Sequence, residues 1–326
     1  EIRPRDWSSD VCSSDLASLF ACTHGFAQAY PVKPVRFIVP FPPGGGVDTQ
    51  ARTFAQKYTE AWGQSVVVDN RPGAGGNIGA DAVAKAQPDG YTLLLTTTGH
   101  AVAPSLYKKL PFDPIKDFAP ASQQTSTYLV MVANPSMPAT LKEIVAMAKA
   151  QPGKLNYAHT GLGVAPHIVG EMLKDAAGID ITMISYKGDA QTVPAMMSNE
   201  AQFGFSPPTT VVQLTRAGKL RAVVVSGARR GSVFPDVPTL TEAGFPAATY
   251  NGWVGLFAPG GTPREVLNRI ANETNNALKT PELIKAMPGW GGEAAGGTPE
   301  DFAKRYRDDI AFYAKIVKQA NIPQVD

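Results

Sequence analysis

The chain has 326 residues, 44% of them hydrophobic and 18% charged, with a formal net charge of +2. That length and apolar content suffice for one large or two ordinary domains with real cores. A charge balance so near neutral and so evenly spread excludes a case for nucleic acid or an anionic membrane surface, and the 31 glycines and 28 prolines lie between apolar runs, as turns do.

Residues 1–29 read as a leader remnant. The stretch LASLFACTHGFAQA is a short apolar run followed by small residues, with Ala27 and Ala29 in an A-x-A pattern that predicts export and cleavage near Ala29. Residues 1–15 carry two Ser-Ser-Asp repeats where a basic start belongs, and are read as foreign to that leader. Cys12 and Cys22 both fall in this segment, so the remaining chain offers no disulfide, thiolate nucleophile or cysteine-held metal.

From Tyr30 onward, β-rich runs alternate with helical patterns. The predicted strands are residues 35–41, 65–70, 91–97, 127–134, 155–160, 180–186, 201–206, 220–226 and 253–259, each a near-continuous apolar run suited to a strand covered on both faces. Between them the apolar spacing is helical. Val47, Ala51, Phe54, Tyr58 and Trp62 mark the first helix, and Phe302, Tyr306, Ile310, Tyr313 and Ile316 the last. Thr298 and Pro299 open that last helix as N-cap and first residue. The alternation predicts α/β layers with mostly parallel sheets. Two proline-rich sections, 104–122 and 234–252, read as irregular and bracket a central block. The expectation is two lobes around a hinged cleft, one from 30–130 and 252–326, the other from 131–251.

Four predicted strand-to-helix junctions carry glycine: Gly44-Gly45-Gly46, Gly73-Ala74-Gly75-Gly76, Gly161-Leu162-Gly163 and Lys187-Gly188-Asp189. A helix that starts at such a turn presents unpaired N–H groups and a partial positive charge to a carboxylate or phosphate. Neither nucleotide fingerprint is complete: G-x-x-x-x-G-K-[ST] is absent and no loop finishes G-x-G-x-x-G. Catalytic motifs are equally thin. After the leader the histidines are His100, His159 and His167; the spacing of His167 and Glu171 fits a structural histidine near a helix start better than a metal pair. Asp48 reads as a first-turn acid, and Trp62 and Trp253 as core. A hydrolase using His100 or His167 as general base is the alternative to a binding protein.

The segments PVRFIVPFPPGGGVD, VVVDNRPGAGGNIGADAVAKAQPDGYTLLL, LNYAHTGLGVAPHIVGEML, ISYKGDAQTVPAMMSNEAQFGF, AGKLRAVVVS, FPDVPTLTEAGFP and GLFAPGGTP resemble, in order, the Bug family, the periplasmic solute receptors of tripartite tricarboxylate transporters. The resemblance covers residues 30–326. It implies a two-lobed periplasmic-binding-protein fold (type II, Venus flytrap) with two mixed sheets flanked by helices, in a monomer that needs no cofactor or metal. It also implies a small carboxylate as ligand, with transporter membrane subunits or a sensor protein as partner. In such receptors backbone N–H groups and hydroxyls at loops before helices grip the carboxylate. Carried over residue by residue, the ligand-binding positions are Phe41, Gly44, Gly45 and Asp48; Thr97 and Thr98; His159, Thr160, Gly161, Gly163, Val164, Ala165 and His167; Tyr186, Lys187 and Gly188; and Ser206. Two departures stand out. Val164-Ala165-Pro166 replaces a hydroxyl cluster, and Ser206 stands where the family often has Asp. Both imply a ligand with one anchored carboxylate and an apolar or aromatic body, rather than an amino acid or citrate.

Overall fold

The computed structural model describes residues 30–325; the expected leader and its cleavage point near Ala29 lie outside them. The chain opens with β1 (Val35–Val39), α1 (Gly46–Trp62), β2 (Val66–Asn70), α2 (Asn77–Ala84), β3 (Thr92–Thr97) and α3 (Gly99–Leu106). There follow β4 (Phe118–Thr127), β5 (Val130–Ala133), α4 (Leu141–Ala150), β6 (Asn156–His159), α5 (Ala165–Ala177), β7 (Thr182–Ser185) and α6 (Asp189–Met197). The chain continues through β8 (Phe203–Ser206), α7 (Pro208–Arg216), β9 (Arg221–Val225) and β10 (Gly252–Pro259), then α8 (Arg264–Ala277), α9 (Pro281–Ala286), β11 (Gly292–Ala294) and α10 (Pro299–Gln319).

These strands form two sheets, ordered β11-β4-β10-β3-β1-β2 and β7-β6-β8-β5-β9. The expected βαβ units supply the parallel pairs: β1 with β2 and β3, and β6 with β7 and β8. Neither sheet is mostly parallel, because β10 runs against β3 and β4, and β5 against β8 and β9. Both reversed strands lie where the chain passes from one sheet to the other, so no crossover helix dictates their direction. The first half of β4 falls in a section read from sequence as irregular. Its buried Ser122, Gln123, Gln124 and Thr125 hide the apolar signature of a strand, and Gln50 of α1 meets them with its Nε2 donating to Gln124 Oε1 and Thr125 Oγ1, each at 3.2 Å. Pro120 sits at a register shift against β10, where its missing N–H costs no ladder bond.

α1 buries Ala51, Phe54, Tyr58 and Trp62 as the spacing predicts and ends at Gly63 in the left-handed conformation. α10 begins at the expected capping box: Thr298 Oγ1 accepts from Asp301 N, and Asp301 Oδ2 accepts from Thr298 N. It packs on α3 and β4 and also on α5, so one helix touches elements of both sheets. Its Phe302 and Tyr306 close an aromatic core with Trp253 and Phe257. The two passages between sheets are tied together by buried Ser226. Its Oγ accepts from Leu129 N at 2.9 Å and donates to Tyr250 O at 3.1 Å.

Candidate functional site

A cavity of about 290 Å³ lies between the two sheets. Its size suits a small molecule. Three helix starts meet there: Gly76 and Asn77 of α2, Thr98 to His100 of α3, and Val164 and Ala165 of α5. Among the described residues, the N–H groups of Gly99, His100, Val164 and Ala165 have no acceptor, as the first turn of a helix leaves them. The rest of the wall is hydroxyl-bearing (Thr96, Thr97, Thr127, Tyr107, Tyr250) or apolar (Phe41, Val102, Ala103, Leu106, Leu162, Ile168, Trp253). No Asp, Glu, Lys or Arg among the described residues lines it. The charge offered to a ligand is therefore the partial positive charge of oriented peptides.

Close backbone approach makes the enclosure. Gly163 has φ +73°, and a Cβ there would lie 2.1 Å from Leu106 Cδ2, so the loop before α5 reaches α3 only as glycine. A Cβ on Gly75 would lie 2.2 Å from the Tyr107 hydroxyl. Thr98 fixes the start of α3 to β10, its Oγ1 accepting from Trp253 N at 2.8 Å. Behind the wall, Trp253 Nε1 donates to Asp309 Oδ2 at 2.7 Å, holding the indole in place.

Of the residues named from sequence, Phe41, Thr97, Thr98, Gly163, Val164 and Ala165 line the cavity. Gly44, Gly45 and Asp48 do not; the turn closes on itself. Gly44 N donates to Asp48 Oδ2 at 2.8 Å, and Asp48 also accepts from Arg52 Nε and Asn70 Nδ2. Burial would raise its carboxyl, but those bonds and the Arg52 charge outweigh burial and hold it below its ordinary value. His159 and His167 serve the loop before α5 in the same way. Gly163 N donates to His167 Nδ1 at 3.1 Å, which puts the His167 proton on Nε2, 3.6 Å from Glu171 Oε1. His159 Nδ1 meets Gly161 O at 2.9 Å, and the two rings lie 4.5 Å apart. Thr160 and Gly161 belong to this loop but stay outside the cavity. Tyr186, Lys187 and Gly188 form the start of α6 elsewhere: Tyr186 Oη donates to Glu200 Oε1 and Lys187 N to Gln191 Oε1. Ser206 ends β8, buried, its Oγ without a partner and away from the cavity.

The general-base alternative gains nothing here. His100 sits in a box of Phe112, Phe118, Phe257 and Tyr306 rings, and burial pushes it down to about 3. Burial, helped by His159 and Lys174, takes His167 down to about 4, and its Nδ1 is engaged already. Sequence reasoning recognised the Gly73–Gly76 turn as an anion-type turn but not Asn77 beside it. Thr127, Tyr250 and Trp253 also escaped it, because they flank the passages between sheets, where no local motif marks a site.

The chain matches a profile described as "Tripartite tricarboxylate transporter family receptor" over residues 50–322. It is 34% identical to the protein BugT of Bordetella pertussis over 93% of this chain and 96% of that protein. Its structure resembles that of R. palustris Rpa4515, solved with adipate, at TM-score 0.78 and 30% identity, covering 91% of this chain and 100% of the other. It also resembles MatC of Rhodopseudomonas palustris, solved with malate, at TM-score 0.74 and 30% identity, covering 88% and 100%.

Proposed function

Because the chain belongs to the tripartite tricarboxylate transporter receptor family, we propose that its cavity captures a small carboxylate in the periplasm and delivers it to membrane subunits or a sensor protein. The observation that carries this reading is the convergence of three helix starts on a small cavity whose wall, among the described residues, holds no Asp, Glu, Lys or Arg. Such a wall stabilises an anion through fixed dipoles and hydroxyls without a counter-charge. The similarity to receptors solved with adipate and malate supports the same class of ligand. Among the described residues no helix is long and apolar enough to cross a membrane.

The carboxylate lies against the starts of α3 and α5, and the body of the ligand lies along Val102, Leu106, Ile168 and Trp253. Val164 and Ala165 add no hydroxyl at this end, which favours an apolar or aromatic body over an amino acid or citrate. The lobes are residues 30–130 with 252–326, and 131–251; they hinge where Ser226 joins the two passages. The protein binds and releases without turnover.

Calorimetry and thermal shift with a panel of aliphatic, aromatic and hydroxylated mono- and dicarboxylates test this. At least one acid should raise the melting temperature and be recovered unchanged. Conversion of the acid would show an enzyme, and silence across the panel would remove the carboxylate reading. Citrate or glutamate binding far more tightly than aromatic or aliphatic acids would remove the apolar body.

A further inference from the structure

Residues 250–253 carry the second passage between the sheets into β10, and two of their side chains, Tyr250 and Trp253, line the cavity. The ends of this short segment are held by the other passage and by α3. Tyr250 N donates to Ser226 O, and Trp253 N donates to Thr98 Oγ1. The middle is held from behind by α10. Arg305 donates through a terminal guanidinium nitrogen to Asn251 O, and through Nε to Asp309 Oδ2 at 3.2 Å. The same Asp309 oxygen accepts from Trp253 Nε1 at 2.7 Å. One ion pair thus grips both the main chain beside Tyr250 and the indole of Trp253.

This pair differs from its neighbour on the same helix. Lys304 and Asp308 have the same four-residue spacing, but they are 76% and 61% exposed and form no bond to the passage. Arg305 and Asp309 are 29% and 14% exposed. Burial raises the Asp309 carboxyl despite the Arg305 charge and the indole donor. An acid raised by folding is ionised at a cost to the fold above its ordinary value, so stability alone does not account for it. Its bonds do: it is where the cavity wall and α10 are fastened together.

We infer that Arg305 and Asp309 are positioning residues for ligand binding, which set Tyr250 and Trp253 as a wall of the cavity from behind without touching the ligand. The inference rests on the carboxylate-binding reading above and deepens it: α10 supplies no lining residue, yet it fixes the shape of the site. Both bonds to Asp309 end on one oxygen, so the requirement is an acceptor at that point.

Calorimetric titration of the full chain with benzoate, adipate and malate tests this, beside melting curves without ligand. The acid of these three that binds the native protein most tightly is followed in the variants. Arg305→Met keeps the aliphatic stem and loses the bond to Asn251, and Asp309→Leu removes the acceptor. Each should weaken binding about tenfold, the effect of a hydrogen bond to a charged group. Asp309→Asn keeps an oxygen in place and should stay within about threefold. Lys304→Met breaks only the exposed pair and should stay within about twofold. A double-mutant cycle separates positioning from general loosening. Trp253→Phe removes the indole donor, so adding Asp309→Leu to it should cost about threefold or less. Should Asp309→Leu fail to melt cooperatively, Arg305→Met and Asp309→Asn carry the test. Native affinity in Arg305→Met, an equal loss in Lys304→Met, a tenfold loss in Asp309→Asn, or the full tenfold from Asp309→Leu in the Trp253→Phe background would overturn the positioning role and leave the carboxylate receptor intact. Failure of all three acids to bind the native protein would overturn both.

Discussion

The turn before α1 and the loop before α5 are built alike. In each, the N–H of a positive-φ glycine donates to the side chain four residues later, Gly44 to Asp48 and Gly163 to His167. The caps differ in charge. Asp48 is a carboxylate held below its ordinary value, whereas His167 is an imidazole that burial keeps neutral. Only the loop with the neutral cap lines the cavity through its glycine and the residues that follow. A fixed anion neutralises the partial positive charge of the helix it caps, and it repels a ligand carboxylate. The turn before α1 reaches the cavity through Phe41, whereas the loop before α5 lines it through Gly163, Val164 and Ala165.

The largest effect is expected where the second loop touches α3. Gly163→Ala puts a methyl against Leu106 at a left-handed backbone position, and ligand affinity should fall about a hundredfold by calorimetry, from overpacking and backbone strain together. Unchanged affinity would mean that the enclosure does not depend on this contact. Giving the second loop the cap of the first comes next. His167→Asp should weaken carboxylate binding about tenfold or more, while His167→Gln, an uncharged acceptor, stays within about threefold. Equal losses in both would show that shape, and not charge, separates the two turns.

Acid should also tell them apart. His100, His159 and His167 all have lowered values from burial, so the unfolded chain binds protons first as pH falls below 6.5. Stability should therefore decline from about pH 6.5 towards about pH 4, the native value of His167, and level off as each native imidazole protonates. Asp48 behaves differently: its lowered carboxyl stabilises the fold above the ordinary value of 3.8, and that contribution is lost only as pH drops through the still lower native value. Melting temperature against pH checks this. His167→Gln should flatten part of the upper slope, and an unchanged slope would mean that His167 is not protonated differently on unfolding. The smallest effect belongs to Arg52→Ala. It removes a half-exposed partner of Asp48 and should cost under about 1 kcal/mol in denaturant titration, with affinity unchanged.

Much of this arrangement was legible before any contact was known. The β-branched runs gave the predicted strands and their helices, and Thr298-Pro299 announced the start of α10. The glycine turns were recognisable because positive φ and close approach demand glycine wherever they occur. β4 was not legible, since its buried Gln124 and Thr125 are polar residues that accept hydrogen bonds from Gln50, which lies far away in the chain.

The order of apolar runs and glycine turns determined by itself an α/β chain with helix starts suited to anions. Tertiary structure decided which starts meet. Gly163 reaches Leu106 and Gly75 reaches Tyr107 across long stretches of chain, and Asp48 and His167 look equivalent until their neighbours set one charged and the other neutral. Local pattern specifies backbone shape because that depends on neighbours in sequence; a binding site depends on the charge and space left over when distant segments pack, and only the folded chain fixes those.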